Sequence, residues 1–207
     1  MSFKYYDTLS TLICGMCLLM VLSKSTGCDI QNYNVVILLP LAYVLGYFLN
    51  ALSAMLTPLY FLLTGKKASV VLLNEPEAHW YNVFGNPTSP GFGRIRFSGY
   101  KLAVELLREE LNDPFADEAK MFNRALTYSR ADDKSRVPDF NAKYAFSRAV
   151  LTLVIVSIVL LRPVYHENSW FWPLSLTFLY LALRRFKEAD FYFVKEVLTE
   201  YLKRRRE

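Results

Sequence analysis

The side chains with the clearest capacity for chemistry lie inside the most apolar part of the chain. Small or polar residues recur along the stretch Val35–Leu63, namely Ala42, Gly46, Asn50, Ser53, Ala54 and Thr57. Four of them are spaced four residues apart, and such stripes let helix backbones approach closely in a membrane. The amide of Asn50 needs a hydrogen-bond partner there, so it either lines a pore with Gly46, Ser53 and Thr57 or joins two helices. The sequence leaves both readings open.

Two pairs of arginines form the second set of candidates. Arg94 and Arg96 lie beside phenylalanines in a segment rich in glycine and proline. Cations next to aromatic rings can hold phosphate or a single-stranded nucleic acid, and a solvated charged loop is the alternative. We assign Arg184 and Arg185 to the same ligand-binding set, with membrane orientation and lipid contact as their alternative role.

Catalytic motifs are missing from the sequence. It contains no Walker-type phosphate loop, no dinucleotide-binding glycine pattern and no H-E-x-x-H pair. Glu75 and His79 are one helical turn apart and could ligate a metal, but a solvated pair is the more ordinary explanation. No His, Asp or Glu falls inside an apolar stretch. Proteolysis, metal-dependent hydrolysis and proton pumping within a bilayer would need such residues, so we do not expect them. We predict a protein that is not an enzyme and that needs no cofactor or metal.

The elements that must position these residues are four apolar stretches: Thr8–Leu22, Val35–Leu63, Tyr144–Leu161 and Trp170–Leu183. Of the 24 Lys and Arg residues, only Lys24 and Arg162 lie on the side of these stretches opposite to the rest. Because cytoplasmic loops collect basic residues, we predict an all-α membrane protein with four transmembrane helices and with both termini in the cytoplasm.

Two details of these stretches matter below. The first one loosely resembles a cleaved signal peptide, with Lys4 ahead of it, and we prefer a retained helix. Arg148 lies one turn inside the cytoplasmic end of the third stretch, where a long side chain can reach back to the membrane surface.

The residues between the second and third stretches predict a small, mainly helical cytoplasmic insertion. Helices are expected at about Glu75–Val83, Gly99–Asn112 and Phe115–Arg130, and Ala68–Leu73 fits either a strand or the tail of a helix. The resulting organisation is two spans in residues 1–64, the insertion in 65–143, two more spans in 144–183 and an amphipathic helix in 184–207. The insertion is too small to bury a core easily by itself.

The fourth stretch runs into the C-terminal segment without a helix breaker. We therefore predict one helix from Trp170 to about Arg204. Apolar residues recur on one face of its second half, and we predict that this face forms an oligomer interface through Phe186, Phe193, Val197 and Tyr201.

In its plan, the chain resembles the small membrane effectors of bacterial anti-phage defence, in particular the transmembrane effector of Hailong-type systems. Gly46–Ser53 and Arg184–Leu202 carry the resemblance. It implies a homo-oligomeric channel in the bacterial inner membrane, for which a tetramer is one candidate state. A single-stranded oligonucleotide made by a nucleotidyltransferase partner would hold the channel shut. Its release would open the channel, collapse the membrane potential and abort infection.

A second function from a different class fits the same sequence. A membrane anchor or adaptor that conducts nothing would dock a soluble partner through Gly85–Arg130 or through the C-terminal apolar face. In either case membrane lipid is an expected partner. An interfacial lipid-modifying enzyme using His79 is disfavoured because no second catalytic group accompanies it.

Overall fold

The fold is mainly helical in a computed structural model of the chain. The structure describes residues 2–28, 34–74, 80–82, 94–96, 101–129 and 135–205, with side chains described outside 2–7, 80–82 and 94–96. Within these residues there are seven helices: α1 Ser2–Thr26, α2 Val35–Thr64, α3 Ala68–Asn74, α4 Lys101–Glu110, α5 Glu118–Ser129, α6 Val137–Tyr165 and α7 Phe171–Arg204. Two short strands, β1 Trp80–Asn82 and β2 Arg94–Arg96, pair antiparallel.

Three helices are long and apolar enough to cross a membrane. They are the Thr8–Thr26 part of α1, the whole of α2 and the whole of α6. This finding agrees with the predicted membrane class. The predicted fourth span is not among the three, because Arg184 and Arg185 end the apolar run of α7 short of the roughly 20 residues that a bilayer core requires.

The contacts divide the chain into two compact units. The first unit consists of Met1–Leu59 and Ala145–Phe186, and the second unit of Tyr60–Tyr144 and Lys187–Glu207. Each unit therefore combines pieces that are far apart in sequence.

Backbones approach closely in the first unit where α1 crosses α2. A Cβ atom on Gly15 would lie 1.7 Å from the carbonyl oxygen of Ala42, and one on Gly46 would lie 2.0 Å from that of Thr11. Only glycine leaves room for such a contact. A small apolar cluster, which includes Leu18 and Leu49, packs beside the crossing. The glycines thus fix how near the two helices lie.

Much of the surface of α2 in the first unit is apolar and faces outward. Val36, Tyr47 and Met55 are largely exposed, with 78% of Met55 accessible. An apolar surface of this extent is unfavourable in water but suits lipid chains. The burial pattern of α2 therefore agrees with a helix able to span a membrane.

The second unit has a core of its own. Its centre is formed by fully buried side chains from four helices: Leu72, Leu107, Met121, Leu198 and Tyr201. Two of the three helices predicted for the insertion, those at about Gly99–Asn112 and Phe115–Arg130, are present as α4 and α5. The C-terminal part of α7 completes a core that the insertion alone was expected to lack.

Two local predictions in the second unit were incomplete or wrong. Ala68–Leu73 forms the separate helix α3, and is neither a strand nor the tail of α2. Gly65, with a φ of 88°, follows the end of α2 at Thr64 and separates the two helices. The helix predicted over Glu75–Val83 is wrong at Trp80–Asn82, which form β1, while residues 75–79 lie outside the described part.

We expect Gly46→Val to destabilise the first unit by about 1–3 kcal/mol, because the new side chain overlaps the Thr11 carbonyl and forces α1 away from α2. Thermal unfolding of purified protein in mild detergent measures the loss. Ala54→Val is the matched control on the same helix, since Ala54 is exposed. Equal melting temperatures for the two variants would contradict the tight crossing.

Candidate functional site

Polar groups of α2 and α6 meet inside the first unit. The Arg148 Nε donates a hydrogen bond to the Ser53 Oγ at 3.1 Å, and its Nη1 lies 3.5 Å from the Thr57 Oγ1. The Ser53 Oγ in turn donates to the Asn50 carbonyl oxygen at 2.6 Å. We call Asn50, Ser53, Thr57 and Arg148 the arginine–hydroxyl cluster.

Helical periodicity brings the α2 members of this cluster together. Positions 50, 53 and 57 follow the i, i+3, i+7 rule for one helix face. The Thr57 Oγ1 donates to the Ser53 carbonyl oxygen at 2.9 Å. Because the hydroxyl hydrogens are used on the backbone, the oxygen lone pairs remain to accept from a guanidinium, which can only donate. The hydroxyl oxygens of Ser53 and Thr57 are therefore suitable acceptors for the N–H donors of Arg148.

Asn50 also faces a small pocket next to the helix crossing. The pocket is lined by residues of α1, α2 and α6, among them Ser10, Cys14, Gly46 and Ala149. Asn50 is half-buried there, and Ser53 is fully buried. The amide therefore lies between a helix contact and a small polar space. Both roles considered for Asn50, lining a pore and joining two helices, remain open.

The predicted four-residue stripe does not stay on one face. Gly46 is buried, Asn50 is half-buried and Ala54 is exposed. A spacing of four residues turns by about 40° more than one full helical turn at each step. By Ala54 the accumulated rotation has carried the stripe to the exposed side of α2. The role predicted for Ala54 in a pore or in helix packing stays a prediction.

Sequence reasoning missed the partners of Arg148. It expected the side chain to reach the membrane surface, whereas the guanidinium contacts two hydroxyls of α2. The sequence did contain a hint, because Arg148 lies inside one apolar stretch and the hydroxyl residues Ser53 and Thr57 lie one helical turn apart in another. Sequence alone does not give the relative height of two helices, so it could not pair them.

The predicted ligand-binding arginines are only partly described. Arg94 and Arg96 form β2, opposite Asn82 and Trp80 of β1, and their side chains lie outside the described part of the structure. On α7, Arg184 is half-buried and Arg185 is exposed, and both already interact with the protein. Their joint role in binding a ligand stays a prediction.

The C-terminal apolar face is buried within the single chain. Phe186, Val197 and Tyr201 are fully buried, and Phe193 nearly so. The Phe193 ring stacks on Tyr144 with centroids 5.9 Å apart. Intrachain packing already accounts for the apolar stripe, so the stripe is no longer a reason to expect a subunit contact there. The oligomer interface itself stays a prediction.

Two buried charges of α7 lie in the second unit. The Asp190 Oδ2 accepts a hydrogen bond from the Ala68 backbone N–H at 2.9 Å, at the first residue of α3. The Lys187 Nζ donates to the Lys66 carbonyl oxygen at 2.6 Å and lies 5.3 Å from the Phe61 ring centroid. Together these side chains hold the turn between α2 and α3, and we call them the turn clamp.

Burial shifts the acidity of both clamp residues. Desolvation raises the pKa of Asp190 to about 6, against the opposing effects of the Ala68 hydrogen bond and of Lys187. Desolvation likewise lowers the pKa of Lys187 to about 8. The clamp therefore titrates closer to neutral pH than ordinary side chains of these types.

An ionic network joins the end of α7 to α4 and α5. Glu110 accepts from the Arg124 Nε at 2.6 Å and from the Tyr201 hydroxyl at 3.0 Å, and it lies 3.2 Å from the Arg205 Nη2. Burial opposes ionisation of Glu110, but these donors prevail and its pKa is lowered. Such a network fastens the C-terminal end of α7 to α4 and α5.

Metal ligands do not gather in the described residues, where no group of three or more His, Cys, Asp or Glu side chains is close enough to hold an ion. The Glu75–His79 pair noted in the sequence lies outside the described residues.

Comparison of the chain with known protein families, with curated proteins and with solved structures finds no match. The class that the fold supports is a mainly helical protein with helices able to span a membrane. Any statement about function rests on the residues of this chain.

We expect Asp190→Asn to change how stability depends on pH. The folded pKa of about 6 exceeds the ordinary value of 3.8, so the folded chain binds more protons between these values and stability falls as the pH rises through them. Wild type should lose about 1–3 kcal/mol over this window. The variant, whose amide oxygen still accepts from Ala68, should lose much less.

Chemical denaturation in mild detergent at pH 4 to 7 measures this slope. Asp139→Asn is the control, because Asp139 is exposed on α6, and it should keep the wild-type slope. A slope unchanged by Asp190→Asn would show that this carboxyl is not responsible.

Proposed function

We propose that this chain is a four-span membrane effector that assembles into an oligomeric channel and collapses the membrane potential when it opens. The arginine–hydroxyl cluster is the single observation that carries the proposal. Charged side chains within membrane helices are rare and mark functional paths as a rule. In this proposal the cluster lines the conducting path on its cytoplasmic side.

The first half of α7 supplies the fourth span. Most of its exposed side chains are apolar, including Leu176, Phe178 and Leu181, each at least half exposed. Trp170 and Trp172 at its start suit a membrane–water interface. A fourth crossing also puts the basic middle segment and the basic C-terminus on the same side, as the distribution of Lys and Arg favours.

Helix lengths support the depth assigned to the cluster. Along α2, Ser53 lies about 27 Å from Val35, and along α6, Arg148 lies about 26 Å from Tyr165, at the rise of an α-helix. Both estimates leave the cluster near the inner edge of a hydrocarbon core of about 30 Å. In this proposal a guanidinium at this depth favours anions in the path.

The gating and the biological role come from the resemblance. We propose that a single-stranded oligonucleotide, produced by a nucleotidyltransferase partner, binds on the cytoplasmic side through Arg94, Arg96, Arg184 and Arg185 and keeps the channel closed. Its loss opens the channel in the inner membrane of an infected bacterium. Homo-oligomers supply the several copies of α2 and α6 that a pore needs.

A membrane adaptor that does not conduct is the second candidate. The observation in its favour is that two large apolar side chains of the second unit are exposed, Phe115 by 92% and Leu102 by nearly half. Phe115 follows the end of α4, beside a turn held by the Asp113 side chain. A soluble partner could dock there without any change in the membrane helices.

Chloride efflux from liposomes tests conduction. Purified protein without ligand should release chloride, and Arg148→Leu should slow efflux about tenfold or more because the path loses its positive charge. Arg148→Lys keeps the charge and should retain most of the flux. Ser157→Ala removes a hydroxyl of the same helix outside the cluster and is the matched control. Wild-type liposomes that stay tight, or a protein that is monomeric in mild detergent, would favour the adaptor.

A short single-stranded oligonucleotide should slow chloride efflux from the same liposomes when it is added on the side that carries the middle segment. The double variant Arg94→Gln/Arg96→Gln should need at least about tenfold more oligonucleotide, since two charge-assisted contacts to phosphate are lost. Lys101→Gln, a cation at the start of α4, is the control. An oligonucleotide effect equal in all three proteins would remove these arginines from the ligand site.

A further inference from the structure

An apolar groove lies between α6 and α7 in the first unit. It has a volume of about 410 Å³, and its walls include Val154, Ile158, Leu174 and Phe178. Ser157 also lines it, but its Oγ donates to the Leu153 carbonyl oxygen at 2.7 Å, so it adds little free polarity. A groove with these walls is suited to a hydrocarbon chain.

A second recess continues the groove toward the turn between the two helices. Ile158 lines both, and the recess adds Arg162, His166 and Trp172. The Arg162 side chain is exposed and forms no ion pair with any described residue. His166 contacts the Pro163 carbonyl oxygen at 3.3 Å and the exposed Glu167 carboxylate at 3.7 Å. The recess therefore places a guanidinium and an indole next to the apolar groove.

We propose that the groove and the recess together bind one phospholipid with an anionic headgroup. An acyl chain occupies the groove, and the phosphate contacts the guanidinium of Arg162. Charge complementarity selects this occupant, since a guanidinium beside an apolar groove matches a lipid whose charge lies in its headgroup. The inference rests on α6 and α7 both spanning the membrane, which belongs to the proposed function, and needs no conduction.

The tryptophans of this region report on the site directly. Trp170 lines the groove and Trp172 lines the recess. The chain has three tryptophans, so Trp80→Phe leaves only these two as fluorophores. This variant is reconstituted into phosphatidylcholine vesicles that contain brominated phosphatidylglycerol or brominated phosphatidylcholine, and the quenching of fluorescence by each lipid is compared.

Phosphatidylglycerol should be preferred about fivefold, as expected for one cation near the membrane surface. Arg162→Gln should remove the preference. Lys24→Gln, the other basic residue on the same predicted side, is the matched control and should keep it. Ser175→Phe narrows the groove and should weaken quenching by both lipids.

Each other outcome overturns the inference in a distinct way. Equal quenching by the two lipids, or an unchanged preference in Arg162→Gln, would contradict a site for anionic lipid at Arg162. Neither result would bear on the proposed four spans. If neither lipid quenches the fluorescence, the start of α7 does not contact lipid. That result would also contradict the proposal that the first half of α7 spans the membrane. Efficient disulfide cross-linking between copies through Ser175→Cys would assign the groove to a subunit contact instead.

Discussion

The guanidinium of Arg148 can lie between apolar helices because two hydroxyls of α2 face it. A cation removed from water is strongly destabilising unless hydrogen bonds replace those it loses. Ser53 and Thr57 provide them with oxygen atoms whose hydrogens are already used on the helix backbone. This requirement fixes which faces of α2 and α6 meet.

The crossing of α1 and α2 obeys a steric rule instead of an electrostatic one. Gly15 and Gly46 remove the two Cβ atoms that would collide with carbonyl oxygens of the partner helix. Asn50 lies one turn beyond Gly46 on α2, so the close contact and the polar cluster adjoin. The first unit thus holds the arginine–hydroxyl cluster where helices meet, while much of the outward surface of α2 is apolar.

The second unit meets the same constraint on buried charge with a different solution. The charged groups of Lys187 and Asp190 form hydrogen bonds with backbone groups at the turn between α2 and α3, and the two charges also attract one another. Their pKa values move toward neutrality because desolvation outweighs this attraction. One helix, α7, therefore supplies the apolar face of the core, the clamp on the turn and the anchor of the C-terminus through Tyr201.

The sequence by itself determined the periodic features. Hydrophobic length predicted the helices α1, α2 and α6, and the spacing of apolar residues predicted α4, α5 and the unbroken α7, because these signals are local. It also picked out Asn50 and Ser53. Only the tertiary structure decided that Arg148 contacts Ser53, that the rotation of α2 turns Ala54 outward, and that the C-terminal stripe packs inside the chain. Those outcomes depend on the height and rotation of one helix against another, which no local pattern encodes.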